Sequence, residues 1–160
     1  FLNKRMDAKL SMLTADVKER IASHKAWGEQ EYSRSAHLPE KLQITTSSGL
    51  KVRSKAESLI AEELYKYGIP FRYEQRIPVA DTILVPDFTF QAADGSEFYL
   101  EFCGMMDDPG YLEDYLWKRR HYEYAGITSW SNMIYLYATG NSLDMQLVES
   151  IIENQIIARL

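Results

Sequence analysis

The order of helix and strand signals after Ser54 constrains the fold of this chain more than any other feature of its sequence. Ser54 precedes Lys55-Ala56-Glu57, a pattern that predicts an N-capped helix over residues 55–67, ended by a glycine at Gly68. Strand-forming segments follow, and they are interrupted by a second helix and closed by a third. The predicted order is α-β-β-β-α-β-α, which is typical of a mixed α/β layered domain.

Turn and capping residues place the boundaries of the later elements. Asp94-Gly95 predicts a hairpin turn, Asp108-Pro109 a capped helix start, Gly126 the end of that helix, and Ser142 the cap of the last helix. The resulting strands are residues 71–77, 82–90, 98–103 and 133–138, and the resulting helices are residues 109–125 and 143–158.

The N-terminal third has a different pattern. Residues 4–32 are charged and carry apolar side chains three or four positions apart, which predicts a helix that forms either a coiled-coil arm or a cover for the core. Residues 33–51 are polar and predict a linker. We therefore divide the chain into an arm and linker, residues 1–51, and a domain, residues 52–160. Because the first residue is Phe1, we expect a piece of a longer protein. The arm could connect the domain to an upstream domain or bind the same arm of a second copy of the chain.

Composition excludes several classes of function. The net charge of -5 argues against a general polyanion-binding protein, so any contact with nucleic acid has to come from local basic patches. Cys103 is the only cysteine, which excludes an internal disulfide and thiolate zinc sites. No segment of the sequence resembles a membrane span or a signal peptide, and we expect a cytoplasmic protein.

Glu57 occupies an unusual place on its helix. Ile60, Ala61 and Leu64 lie within about 60 degrees of it around the helix axis, so this carboxylate belongs to the apolar stripe. Burial of an unpaired carboxylate costs several kcal/mol unless a cation or a hydrogen-bond donor answers it. Glu57 is therefore either paired with a neighbouring arginine or lysine, or part of a charged site.

Two further acidic residues lie on strands joined by the predicted hairpin. Asp87 interrupts an otherwise apolar strand, where aspartate is disfavoured, although it could also mark a bulge beside Pro86. Glu101 shares a strand face with Tyr99 and Cys103. Adjacent antiparallel strands would bring Asp87 and Glu101 together, and a divalent cation relieves the repulsion between two such carboxylates. Oxygen ligands of this kind suit Mg²⁺ or Mn²⁺.

This ordered set resembles the PD-(D/E)XK nuclease superfamily over roughly half of the chain. The resemblance rests on the helix glutamate, on Pro86-Asp87-Phe88 and on the hairpin into a strand with a second acid. More narrowly, the chain resembles a branch of bacterial and phage-type proteins through Arg53-Ser54-Lys55-Ala56-Glu57 and through Gly104-Met105-Met106-Asp107-Asp108-Pro109-Gly110-Tyr111. It implies a restriction-endonuclease-like α-β-β-β-α-β core with a mixed sheet, to which the N-terminal arm and the C-terminal helix are added.

The resemblance also implies residue roles. Asp87 and Glu101 would bind Mg²⁺ (or Mn²⁺) with the backbone carbonyl of Phe102, and Glu57 would be an outer or second-metal ligand. The cation would activate a water that hydrolyses a phosphodiester bond, in DNA first and in RNA as the alternative. A bacterial or phage-encoded source is implied as well.

One position departs from the family pattern. The lysine expected two residues after the second acid is replaced by Cys103, which cannot supply a positive charge. Lys118 is the candidate replacement, because Tyr111, Tyr115 and Tyr122 lie within about 60 degrees of it on their helix, a face that can turn toward the site. The alternative for Lys118 is a place in a solvated basic run. The alternative for the chain is a catalytically inactive module that binds nucleic acid or takes part in an assembly.

The candidate nucleic-acid contacts are basic or aromatic. Arg53, Lys55, Arg119 and Tyr122 are the candidates, and a solvated face is the competing interpretation of the basic ones. Glu74 could add a carboxylate to the site, but we expect it to be exposed on its strand.

Overall fold

Short helices and a small ribbon open the part of the chain that the computed structural model describes, residues 9–138 and 142–160. Helices α1, Ala15–Ser23, and α2, Lys25–Glu29, come first, and strand β1, Ile44–Thr45, pairs with antiparallel β2, Lys51–Val52. The helix predicted over residues 4–32 is therefore broken, at residues 11–14 and again at His24, and its first residues lie outside the described ranges. The buried ring of His24 contacts Gln91 and the carbonyl of Leu160.

The helix after Ser54 has the bounds that its capping residues predict. Helix α3 is Lys55–Tyr67, and the Ser54 hydroxyl accepts a 3.1 Å hydrogen bond from the backbone N–H of Glu57. Gly68 ends the helix in the left-handed conformation, with φ at 69°. Both ends are local signals, which is why the sequence was sufficient to place them.

The next two predicted strands are each divided in two. The strands are β3, Arg72–Tyr73, β4, Ile77–Val79, β5, Thr82–Leu84, and β6, Phe88–Gln91. The first division falls at Glu74, whose φ of 50° turns the chain out of the extended conformation. The second falls at Pro86, which has no N–H to donate to a ladder. Strands β4 and β5 consequently form a separate hairpin beside the main sheet.

The main sheet has four strands and mixed direction. Strand β7, Glu97–Cys103, pairs antiparallel with β6, and β8, Met133–Tyr137, lies parallel on its other side, which gives the order β3-β6-β7-β8. Helix α4, Pro109–Tyr124, connects β7 to β8 and is capped by the Asp108 carboxylate. The protein is therefore a mixed α/β structure, as predicted.

The C-terminal helix differs from its prediction. Helix α5 spans Met145–Ile151 and continues as a π-helical turn, Ile152–Ile156, and a 3₁₀ turn, Ile157–Arg159. The predicted cap at Ser142 is wrong, because the Asp144 side chain accepts from the N–H groups of Gln146 and Leu147. A carboxylate at this position also complements the positive end of the helix dipole.

Each face of the sheet has its own apolar cluster. The larger cluster joins α3, β6, β7 and α5, and Ile21 of α1 belongs to it, so this helix lies on the core. The smaller cluster lies under α4 and includes Tyr99 and Tyr122. Strand β7 divides its side chains between the two, with Phe98 and Leu100 on the first face and Tyr99 on the second, as its alternation predicts. None of the helices in the described ranges combines the length and apolarity needed to cross a membrane.

We predict that Gly68→Ala lowers the free energy of unfolding by about 1 kcal/mol, because an alanine Cβ is strained in the left-handed conformation. Gly68→Asn should lose less, since asparagine tolerates this conformation. Urea unfolding of the three proteins measures the difference. Equal stability of Gly68→Ala and the parent chain would contradict the assigned C-cap.

Candidate functional site

Asp87 and Glu101 lie beside each other where β6 begins. Phe88 pairs with Leu100, so Asp87 and Glu101 are the next residues along the two antiparallel strands. Each carboxylate accepts a hydrogen bond from the backbone of the other strand. The N–H of Asp87 donates to Glu101 Oε2 at 3.3 Å, and the N–H of Phe102 donates to Asp87 Oδ2 at 2.7 Å. These reciprocal bonds hold the two acids together, as the predicted hairpin requires.

The charge of this pair is only partly compensated. Burial raises the pKa of Asp87 well above its ordinary value, and the charges of Glu101 and Glu57 raise it further. Lys118 and the N–H of Phe102 act in the opposite direction but do not cancel the effect. A carboxyl in this position is an acceptor for a proton or for a cation.

Helix α4 supplies two donors to Glu101. Lys118 Nζ lies 2.6 Å from Glu101 Oε1, and the hydroxyl of Tyr122, one turn later, donates to Glu101 Oε2 at 3.1 Å. Burial lowers the pKa of Lys118, but the charges of Glu101 and Asp87 outweigh it, so the net pKa of this lysine is raised. Lys118 is therefore a charged member of the site. Its side chain keeps 46% of its surface exposed, and its ammonium bonds to the buried carboxylate of Glu101.

Glu57 approaches from α3 and is buried, as its place in the apolar stripe predicts. The hydroxyl of Tyr73 donates to Glu57 Oε1 at 3.2 Å, whereas Oε2 is buried and has no hydrogen-bond partner among the described residues. Burial raises the pKa of Glu57, and its hydrogen bonds from Ser54 and Tyr73 oppose that shift. The partner of this glutamate is a tyrosine, not the arginine or lysine that the simpler interpretation required.

Two cavities meet at these side chains. The larger, about 830 Å³, includes the basic residues Lys41, Arg53 and Arg76 in its lining. The smaller, about 420 Å³, has both acidic and aromatic side chains in its lining. Three site residues line both cavities: Glu57, Asp87 and Lys118. Glu101 lines the smaller one, so the three predicted acids share one opening in the surface.

The donor set limits what cation could bind. Within residues 9–138 and 142–160, no three or more His, Cys, Asp or Glu side chains are grouped so as to hold a metal ion. Asp87 and Glu101 could still hold a cation that takes its remaining ligands from water and backbone, which is the usual coordination of Mg²⁺. Phe102 offers such a carbonyl, since the C=O and N–H of a strand residue point to the same side and its N–H points at Asp87.

Cys103 does not replace the missing lysine chemically. Its side chain is buried, and its Sγ lies 3.8 Å from the carbonyl oxygen of Glu101. Burial and the charges of Glu101 and Asp87 raise the pKa of this thiol to about 12, so it is neutral near neutral pH. A neutral buried thiol supplies neither a positive charge nor a thiolate nucleophile.

The structure corrects the expectation for Glu74. This residue was expected to be exposed, but it is buried and forms an ion pair with Arg53. The guanidinium of Arg53 also donates to the carbonyls of His37 and Leu38, so its donors tie the segment before α3 to the start of the sheet. Sequence reasoning missed this pair, because a left-handed residue at the end of a short strand gives no periodic signal.

The other predicted nucleic-acid contacts differ in accessibility. Lys55 is exposed at the start of α3. Arg119 donates to Glu123 at 2.9 Å and to the hydroxyl of Tyr115 at 3.1 Å, which leaves it near the rim of the smaller cavity. Tyr122 is only 1% exposed, and its hydroxyl donates to Glu101. It therefore positions this carboxylate.

Comparison with models of known protein families, with curated proteins and with solved structures found no match to this chain.

We predict that Asp87→Asn stabilises the metal-free protein, and more so at about pH 8 than at about pH 5. The folded-state pKa of Asp87 is raised, so the wild-type carboxyl favours the folded state below its unfolded pKa of about 4 and loses that contribution as the pH rises through the folded value. Asparagine does not ionise, so the variant does not lose stability at this position as the pH rises.

Urea unfolding in EDTA at several pH values measures the effect, with the exposed Asp81→Asn as the matched control. A stability difference between Asp87→Asn and wild type that does not change with pH would show that the carboxyl is not destabilised by burial.

Proposed function

We propose that this protein is a metal-dependent nuclease that hydrolyses phosphodiester bonds, with DNA as the primary substrate and RNA as the alternative. The observation that carries the proposal is the reciprocal bonding of Asp87 and Glu101, with the ammonium of Lys118 at 2.6 Å from the second acid. Two carboxylates at one opening could hold Mg²⁺ (or Mn²⁺), and the lysine beside them supplies a positive charge toward a phosphate.

The order of elements supports the same class. Helix α3 with its acid, the β6–β7 hairpin with two acids, helix α4 and the parallel strand β8 follow one another as in the α-β-β-β-α-β core of the PD-(D/E)XK superfamily. The proposal therefore includes a restriction-endonuclease-like core. A fold does not specify a reaction, so the proposed activity depends on the side chains of the site.

Each side chain of the site has a different proposed role. Asp87, Glu101 and the carbonyl of Phe102 would hold the cation, which when bound lowers the pKa of a water and polarises the phosphate. Tyr122 and the N–H of Asp87 keep Glu101 in one orientation. Oε2 of Glu57, which has no hydrogen-bond partner among the described residues, could accept from a water in the cavity that Glu57 shares with Asp87 and Glu101.

Lys118 takes the place of the motif lysine. Its position on α4 differs from the family pattern, in which the lysine follows the second acid on the strand, yet its ammonium contacts that acid. Because Lys118 lines both cavities, it can stabilise negative charge that develops on a phosphate bound there. A lysine supplied by a neighbouring element preserves the charge at the site while Cys103 occupies the original position.

A second candidate is a module of the same fold that binds nucleic acid, or assembles, without cleaving it. The neutral Cys103 and the lack of a three-ligand group in the described residues favour this alternative. The two functions differ in whether phosphodiester bonds are broken when Mg²⁺ or Mn²⁺ is present.

We predict cleavage of at least one of four substrates, plasmid, linear duplex, single-stranded DNA or RNA, in the presence of Mg²⁺ or Mn²⁺. Glu101→Ala and Lys118→Ala should each lower the rate by at least about 100-fold, because each removes a charge that acts on the transition state. Gel assays with the exposed neighbour Arg120→Ala as the control measure this.

Arg120→Ala should keep the wild-type rate. Full activity of Lys118→Ala would show that the lysine has not moved to α4, and no cleavage of any substrate by the wild type would favour the non-cleaving module.

A further inference from the structure

The smaller cavity beside the carboxylate pair has an aromatic lining that the nuclease reaction itself does not require. Tyr111 and Tyr115 of α4 and Tyr135 of β8 line it, together with Met105 and Met106. Its volume of about 420 Å³ lies within the range of small-molecule sites. We call this cavity, defined by these five residues, the tyrosine pocket.

Tyr135 gives the tyrosine pocket an unused polar group. Its hydroxyl is buried and has no hydrogen-bond partner among the described residues. Tyr135 pairs in register with Glu101, so this hydroxyl belongs to the strand position next to the second acid. Since buried polar groups are nearly always satisfied, this hydroxyl has a capacity for a hydrogen bond that a water or a ligand in the pocket could fill.

Neighbouring contacts hold the pocket walls in place. The hydroxyls of Tyr115 and Tyr137 lie 2.7 Å apart, and Arg119 donates to the same Tyr115 hydroxyl. The rings of Tyr115 and Tyr135 meet edge to face, with their centroids 5.7 Å apart. Tyr111, in contrast, is 52% exposed, which leaves a ring available for stacking.

The two cavities differ in charge, so each suits a different part of one ligand. In the described lining of the tyrosine pocket, Lys118 is the one basic residue, whereas Glu57, Asp87, Glu101 and Asp114 are acidic. This lining disfavours a phosphate away from the carboxylate pair. In its described lining, the larger cavity carries four basic residues, Lys41, Arg53, Arg76 and Lys118, against three acidic ones, Glu57, Glu74 and Asp87. A flat, uncharged ring with polar edges suits the first cavity, and the anionic backbone that carries it suits the second.

We propose that the tyrosine pocket receives one unpaired nucleobase of the substrate, which deepens the proposed nuclease function and rests on it. A base inside a duplex is stacked and paired and cannot reach such a pocket without leaving the helix. The substrate class is therefore a single strand, or a strand whose base has left the duplex. The base stacks on Tyr111 and bonds to the hydroxyl of Tyr135, and the adjoining phosphate lies over Asp87 and Glu101.

Equilibrium binding with the full chain tests this proposal. The probes are fluorescent oligothymidylate of about 20 nucleotides, an abasic strand of equal length and charge, and a duplex, all with Ca²⁺ in place of Mg²⁺ to prevent cleavage. Wild type should bind oligothymidylate more tightly than either of the other probes. Tyr111→Ala should weaken oligothymidylate binding by at least about fivefold and leave the abasic strand unchanged.

Two further variants act as controls. Tyr111→Trp keeps an aromatic face and should retain binding, and Tyr124→Ala removes an 87% exposed tyrosine from the same helix and should change nothing. Tyr135→Phe keeps the ring but removes the unpaired hydroxyl, and it should weaken oligothymidylate binding as well.

The failure of this proposal is distinguishable from the failure of the nuclease function. Equal binding of abasic strand and oligothymidylate by the wild type, or no effect of Tyr111→Ala, overturns the tyrosine pocket even when the protein cleaves its substrate. Conversely, base-dependent binding that Tyr111→Ala removes supports the pocket even when no substrate is cleaved with Mg²⁺ or Mn²⁺.

Discussion

The register of the β6–β7 hairpin is the constraint on which the site depends. By pairing Phe88 with Leu100 it brings Asp87 and Glu101 together, and backbone N–H groups from both strands hold the two carboxylates there. A shift of one residue would turn one of the acids to the opposite face of the sheet. The apolar side chains of β7, packed in two separate clusters, fix this register, so the stability of the core and the geometry of the acids have the same origin.

The donors around the acids are unevenly distributed. Lys118 and Tyr122 both serve Glu101, whereas burial raises the pKa of Asp87 and of Glu57, and one oxygen of Glu57 has no partner among the described residues. Burial of a carboxylate without a counter-charge is costly, and carboxyl groups with perturbed pKa values cluster at functional sites. We interpret the uneven distribution as the space for a hard divalent cation and its waters.

The sequence predicted the parts of the structure that local signals control. Ser54 and Gly68 placed both ends of α3, and helical spacing indicated that Lys118 is able to turn toward the acids. Long-range contacts caused some of the errors. The first divided strand breaks at Glu74 because that residue takes a left-handed conformation and pairs with Arg53, which is distant in the sequence. The unpaired hydroxyl of Tyr135 likewise depends on strand pairing, which no spacing rule reveals.

Calorimetric titration of the metal-free protein with Mn²⁺ measures cation binding at Asp87 and Glu101 without requiring a known substrate. We expect saturable binding by the wild type, loss of that binding in Asp87→Ala, and wild-type binding in the exposed control Asp81→Ala. The absence of binding to the wild type, or equal binding to Asp87→Ala, would contradict the claim that this pair of carboxylates exists to hold a metal ion.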